Sequence, residues 1–198
     1  MVQYLGAPTT VSVSGYAVNI YPQAQITLPS HLADTVVDTQ LTGKGVRQKW
    51  ISILKLNIYV AAHYMDNLAD LNTAQPMSAM AKSKARIIRL TMLQNATAND
   101  IRTDFEESLD VNGVDLESDA MVSIRNQLDF SLNAGDSVTI IGYPSADGMD
   151  HFVVEAPKKI IQEQAPGLSV DFWKIWFGIP MDKEMKALQA NLLGIHKP

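Results

Sequence analysis

The stretch LTGKGVRQKWISILKLNIYVAAHYMD, from Leu41 to Asp66, decides the fold. Together with the residues from Thr35 onward it is dominated by β-branched and apolar side chains, interrupted only by Gly43 and Gly45. That composition predicts two or three long antiparallel strands. Outward from it, Val11-Ser-Val13-Ser and Ala17-Val-Asn-Ile20-Tyr read as short strands, punctuated by Pro8, Pro22 and Pro29, and Ala85 to Leu93 reads as another.

The character then changes. Thr97 stands three residues before Asp100, a capping-box start, and Ile101, Phe105 and Leu109 follow on one helical face until Asn112-Gly113. Ser118 is read as the cap of a second helix with the stripe Met121, Ile124, Leu128 and Leu132. Strands return at Val138 to Ile141 and His151 to Glu155, around a Gly/Pro/Ser loop from Gly142 to Gly148. Ser169 is read as the cap of a short apolar helix, VDFWKIWF, closed by Gly178, and a last helix after Pro180 carries Met185, Leu188 and Leu192. Segregated runs of strands and helices predict an α+β architecture with helices on one face of an antiparallel sheet. The 198 residues fit one domain, and no boundary or repeat is visible.

Composition excludes several classes of function. Net charge is −5, and the one basic cluster, Lys82-Ser83-Lys84-Ala85-Arg86, reads as a solvated turn, so no nucleic-acid surface is expected. There is no cysteine, which removes disulfides, thiolate catalysis and Cys-based zinc sites and is compatible with either redox compartment. No run approaches the ~20 apolar residues of a spanning helix. The first residues lack the pattern of a signal peptide. The compartment stays open: periplasmic if a leader has been removed, otherwise cytoplasmic. His31, His63, His151 and His196 have no metal-ligand spacing, so neither metal nor cofactor is expected. Gly43-Lys-Gly45-Val lacks the third glycine of a dinucleotide fingerprint, and no Gly-x-Ser-x-Gly elbow is present.

Arg47 is the unusual residue, an arginine inside a β-rich apolar segment just after two glycines. A guanidinium turned into a cleft offers a planar fork for a carboxylate or enolate. Tyr59 lies 12 residues on, which brings it to the same face along one strand or across a tight hairpin, where its phenol supplies a second donor. The aromatic run Phe172, Trp173, Trp176 and Phe177 reads as a helix buried against the sheet.

The pattern Gly-x-Gly-x-Arg47, then Tyr59, then Tyr64-Met-Asp66 resembles the chalcone isomerase superfamily. Phe105-Glu-Glu-Ser108-Leu109 with Asn112, and Gly135-Asp136 before a strand, fit the same family. The run Asp171-Phe-Trp-Lys-Ile-Trp-Phe-Gly178-Ile-Pro180-Met-Asp182-Lys-Glu-Met-Lys186 looks like its bacterial chalcone isomerase-like branch. The resemblance covers residues 35 to 195, with 1 to 34 as N-terminal strands or an extension. It implies an open-faced β-sandwich, a large antiparallel sheet covered on one face by a layer of helices, with a ligand cleft between the layers.

In the plant enzymes an arginine at the position of Arg47 lies beside the nascent flavanone oxygen, and a threonine 12 residues later helps place a water near the ketone. Fatty-acid-binding relatives without catalysis keep the arginine and carry tyrosine at the threonine position, as Arg47 and Tyr59 do here. By spacing, the enzyme's helix tyrosine falls near Ile101, its asparagine near Ser108 and a later threonine near Ile175. Isoleucines cannot supply the donors that cyclisation needs. The resemblance therefore implies a binding protein for a fatty acid or similar small apolar carboxylate, with Arg47, Tyr59, Ser108, Ile101 and Ile175 lining the site. If the chain is an enzyme, Arg47 is the catalytic candidate of an intramolecular lyase. The sequence leaves the oligomeric state open.

Overall fold

The computed structural model describes residues 2–29, 35–71 and 74–194. In chain order the elements are β1 (Val2–Leu5), β2 (Thr9–Val13), β3 (Tyr16–Ile20), β4 (Gln23–Leu28), β5 (Thr35–Ile51), β6 (Leu54–Met65), α1 (Pro76–Lys82), β7 (Arg86–Met92), α2 (Ala98–Val111), α3 (Asp119–Gln127), β8 (Ser137–Pro144), β9 (Asp150–Ala156), β10 (Lys159–Ala165), α4 (Leu168–Phe177) and α5 (Lys183–Leu192). Eight strands form one antiparallel sheet in the order β1-β4-β5-β6-β7-β8-β9-β10, and β2 pairs β3 in a separate hairpin. This is the α+β class and the antiparallel sheet under helices that the sequence predicts.

The sheet is strongly curled. Tyr4 Oη on β1 lies 3.2 Å from Thr139 Oγ1 on β8. In a flat sheet those strands would stand roughly 24 Å apart, five steps of ~4.8 Å. The curl closes a second core. On β6, Ala61 and Met65 join the helix-covered core, while Val60, Ala62 and Tyr64 join a core shared with Val18, Ile20, Ala24 and Ile26 of the N-terminal strands. Burial on both faces explains why this strand is a nearly continuous apolar run. The N-terminal segment is thus a second cover for the sheet, more than an extension.

Gly43 and Gly45 do not break the strand. β5 runs through both, because α5 crosses there: a Cβ on Gly43 would lie 2.1 Å from the Asn191 carbonyl oxygen. Four elements were not expected: β1, β4, α1 and β10. α1 is one short apolar helix, and β10 is an edge strand whose period is hidden because Ile160 lies on the exposed face with Gln162 and Gln164, while Lys159 and Glu163 share the inner face with fully buried Ile161. The capping box of α2 forms as predicted, Thr97 and Asp100 exchanging hydrogen bonds. α3 ends at Gln127, so Leu132 is not on it but in a bridge to Ala96. Ser118 does precede α3, but its hydroxyl donates to the Asp115 carbonyl instead of capping. Gly167, not Ser169, starts α4. Gly142 and Pro144 belong to β8, not to a loop.

The basic cluster before β7 is also different from a solvated turn. Arg86 is 1% exposed, and its Nη2 donates to both oxygens of Asp150 at 2.9 Å and to Ser169 Oγ, while Nη1 donates to the Met80 carbonyl. Asp150 in turn accepts the Val170 N–H, tying β7 and β9 to the start of α4.

Candidate functional site

A cavity of about 430 Å³ lies between the sheet and the helices. Its wall is mostly hydrocarbon: Leu90 and Met92 from β7, Val138 and Ile140 from β8, Phe152 and Val154 from β9, Phe105 from α2 and Phe172 from α4. This is the size and character of a small-ligand site. All five residues singled out from the sequence line it: Arg47, Tyr59, Ile101, Ser108 and Ile175.

Arg47 and Tyr59 are direct partners across the β5–β6 pair, so the hairpin brings them to one face. The register shifts immediately after Arg47, between it and Gln48. Arg47 is turned inward and only 4% exposed. Its guanidinium is already engaged: Nη1 donates to Asp182 Oδ1 at 2.8 Å and Nη2 to Oδ2 at 2.7 Å, with a further bond from Nη1 to the Gln48 carbonyl at 2.6 Å. Of its five N–H donors, Nε and one proton of Nη2 have no protein partner among the described residues. Burial opposes the charge on Arg47, but the Asp182 hydrogen bonds together with the charge interactions of Tyr59, Asp182 and Asp104 outweigh it and raise its pKa. Burial likewise opposes ionisation of Asp182, and there too the Arg47 bonds win, with the Met185 N–H, and lower its pKa.

Asp182 is the N-cap of α5, accepting the Met185 N–H at 2.6 Å. Sequence reasoning quoted this aspartate without assigning it a role; its signal was an Asp placed just before the Met185, Leu188, Leu192 stripe. Trp176 was also missed as a site residue. Its Nε1–H donates to Tyr59 Oη at 3.3 Å. Burial pushes the Tyr59 phenol up to about 12, against the Trp176 bond and the Arg47 charge, which lower it. The phenol is therefore a neutral donor at ordinary pH.

The other three residues differ in kind. Ser108 is buried, and its hydroxyl is occupied within the protein, by the Asp104 carbonyl at 2.7 Å and Met181 Sδ at 3.3 Å. Ile101 and Ile175 present only hydrocarbon. Near the opening, Lys49 pairs with Asp104 at 2.7 Å, and Asp100 lies beside them. The charged lining residues, Arg47 and Lys49 against Asp100 and Asp104, sum to zero.

A second buried polar network stands behind α4. Trp173 Nε1–H donates to His63 Nε2 at 3.0 Å, so the neutral ring carries its proton on Nδ1, 2.7 Å from Thr42 Oγ1. The Thr42 hydroxyl donates to the Leu192 carbonyl of α5 at 2.7 Å. Desolvation, aided by the Arg86 charge, lowers His63 to about 3. Among the described residues no group of three or more His, Asp or Glu is placed to hold a metal ion, and no helix is long and apolar enough to cross a membrane. His31 and His196 lie outside the described residues.

No curated protein matches the chain. A family model described as chalcone isomerase-like matches residues 23–194, starting at β4 instead of residue 35. That span takes in the whole cavity and the sheet from β4 to β10, and the chain belongs to the chalcone isomerase-like family.

Proposed function

We propose that this protein binds a fatty acid or similar apolar carboxylate, chain in the hydrocarbon cavity and head group at Arg47 and Tyr59, without catalysing a reaction on it. The observation that carries this reading is the pairing of a large apolar cavity with a buried polar corner, where Arg47, Tyr59 and Trp176 meet. The unpartnered Nε and Nη2 protons of Arg47 suit a carboxylate approaching along the Nε–Nη2 edge, next to the Nη1–Nη2 edge that Asp182 holds. Because Asp182 already neutralises the guanidinium, the head group contributes orientation more than affinity, and the chain contributes most of the binding. At roughly 30 Å³ per water-sized group, 430 Å³ holds about fourteen non-hydrogen atoms.

Arg47 beside a phenol also favours, as a second reading, cyclisation of a chalcone. Against it, Ile101 and Ile175 offer hydrocarbon where the family resemblance expects donors, and the Ser108 hydroxyl is engaged. The test is native mass spectrometry of freshly purified protein. A co-purified acid is expected, lost from a variant whose cavity is filled by Ile101→Trp. An acid retained by that variant, or absent while added acids also fail to bind, rejects the reading.

A further inference from the structure

We infer that the β5–β6 hairpin tip, an exposed apolar cluster beside the cavity opening, docks onto a lipid bilayer. The turn has two residues, Ser52 and Ile53, closed by the Ile51–Leu54 pair. Ser52 takes φ 56°, a left-handed conformation that favours Gly, Asn or Asp. Corners of this kind are normally polar. Here Ile53 is 85% exposed and Leu54 62%, with Ile51 at 53% and Trp50 at 49%. Ile51 and Leu54 pair on one face of the hairpin and Trp50 lies on the other, with Ile53 in the turn between them. The tip thus presents four large exposed apolar side chains, and an exposed apolar group of this size marks an interaction surface.

Its chemistry fits a bilayer interface. Trp50 is held in place by its Nε1–H bond to Glu184 at 2.8 Å, with the Lys55 and Lys183 ammonium groups 6.0 and 5.7 Å from the ring centroid. A tryptophan flanked by lysines beside aliphatic side chains is the composition of a membrane–water belt. A second copy of the chain is a poorer occupant. At about 200 Å² per large side chain, weighted by these exposures, the cluster offers roughly 500 Å², short of the ~800 Å² per partner of a stable interface.

Charge is not the driving force. Arg47, Lys49, Lys55 and Lys183 are matched around the tip and the opening by Asp182, Asp104, Glu184 and Asp100. Docking should therefore work on neutral lipid. Ile51 belongs to both features, half-exposed at the tip and lining the cavity, so a docked tip would set the cavity opening against the bilayer. This surface goes beyond the ligand reading and stands without it.

The test is flotation with vesicles of phosphatidylcholine alone and of phosphatidylcholine mixed with phosphatidylglycerol, using the unaltered protein and the double variant Ile53→Asp, Leu54→Asp. Neither residue lines the cavity, so folding and fatty-acid affinity, measured in parallel, are expected to be unchanged. The unaltered protein should float with both vesicle types, at low and high salt, and the variant should lose about tenfold or more in partitioning. Failure of the unaltered protein to float, or flotation that needs the anionic lipid and vanishes equally in both proteins with salt, overturns the inference. A concentration-dependent dimer abolished by the same variant, without flotation, overturns it in favour of self-association.

Discussion

Asp182 holds Arg47 through both terminal guanidinium nitrogens, at 2.8 and 2.7 Å, while capping α5 through the Met185 N–H. One carboxylate therefore links the polar corner of the cavity to the helix that crosses β5. It also sets how much charge a ligand meets.

Asp182→Asn keeps an oxygen for the Met185 N–H and removes the negative charge. Freed of its partner, Arg47 should bind a fatty-acid carboxylate about tenfold more tightly, a gain of ~1.4 kcal/mol, with the corresponding alcohol unchanged. Stability should fall by about 1–2 kcal/mol, since the pair is partly exposed. Isothermal titration calorimetry and urea unfolding read the two effects; weaker acid binding would mean that Asp182 orients Arg47 more than it screens it.

His63 makes stability depend on acid. Its folded pKa is lowered to about 3 from 6.5, so between those values the unfolded chain binds the extra proton. The contribution is fully present above pH 6.5 and is lost as pH falls towards 3, at up to about 1.4 kcal/mol per pH unit. Urea unfolding of the protein and of His63→Gln at a series of pH values should show the variant less stable at pH 7 and less steep below 6.5. Equal slopes would place the acid sensitivity elsewhere.

Gly43→Ala should destabilise by about 1–3 kcal/mol. The added Cβ meets the carbonyl oxygens of Asn191 and Leu192 at 2.1 and 2.6 Å, and backbone cannot swing aside as a side-chain end can. A drop in thermal midpoint is expected; no change would mean that α5 shifts freely over β5.

Chalcone cyclisation in the presence of the protein should run at the buffer rate. One lost oxyanion donor typically costs about 10²–10³ in rate, and here two of the expected positions are Ile101 and Ile175. A rate that rises with protein concentration in a spectrophotometric assay contradicts this.

Much of this was legible in the sequence. Residue type and 12-residue spacing sufficed to pair Arg47 with Tyr59, because a tight hairpin and a single strand both put them on one face. Period and capping found α2, and period alone found α5. What stayed hidden depends on elements distant in the chain. The engagement of Arg47 by Asp182 spans 135 residues and no local pattern announces it. Gly43 and Gly45 looked like interruptions because their reason, the close passage of α5, is tertiary. Arg86 looked solvated because Asp150, its partner, lies 64 residues away. Curling of the sheet, which turns the N-terminal strands into a cover, follows from twist and packing, which leave no motif.

The most direct measurement is a calorimetric series of saturated acids of increasing length, each beside its alcohol. Affinity should rise about fourfold per methylene, as ~0.8 kcal/mol per buried CH₂ requires, and level off near fourteen non-hydrogen atoms, with the acid favoured only modestly over the alcohol. Binding that is independent of chain length, or absent throughout, would contradict an apolar cavity with its head group at Arg47.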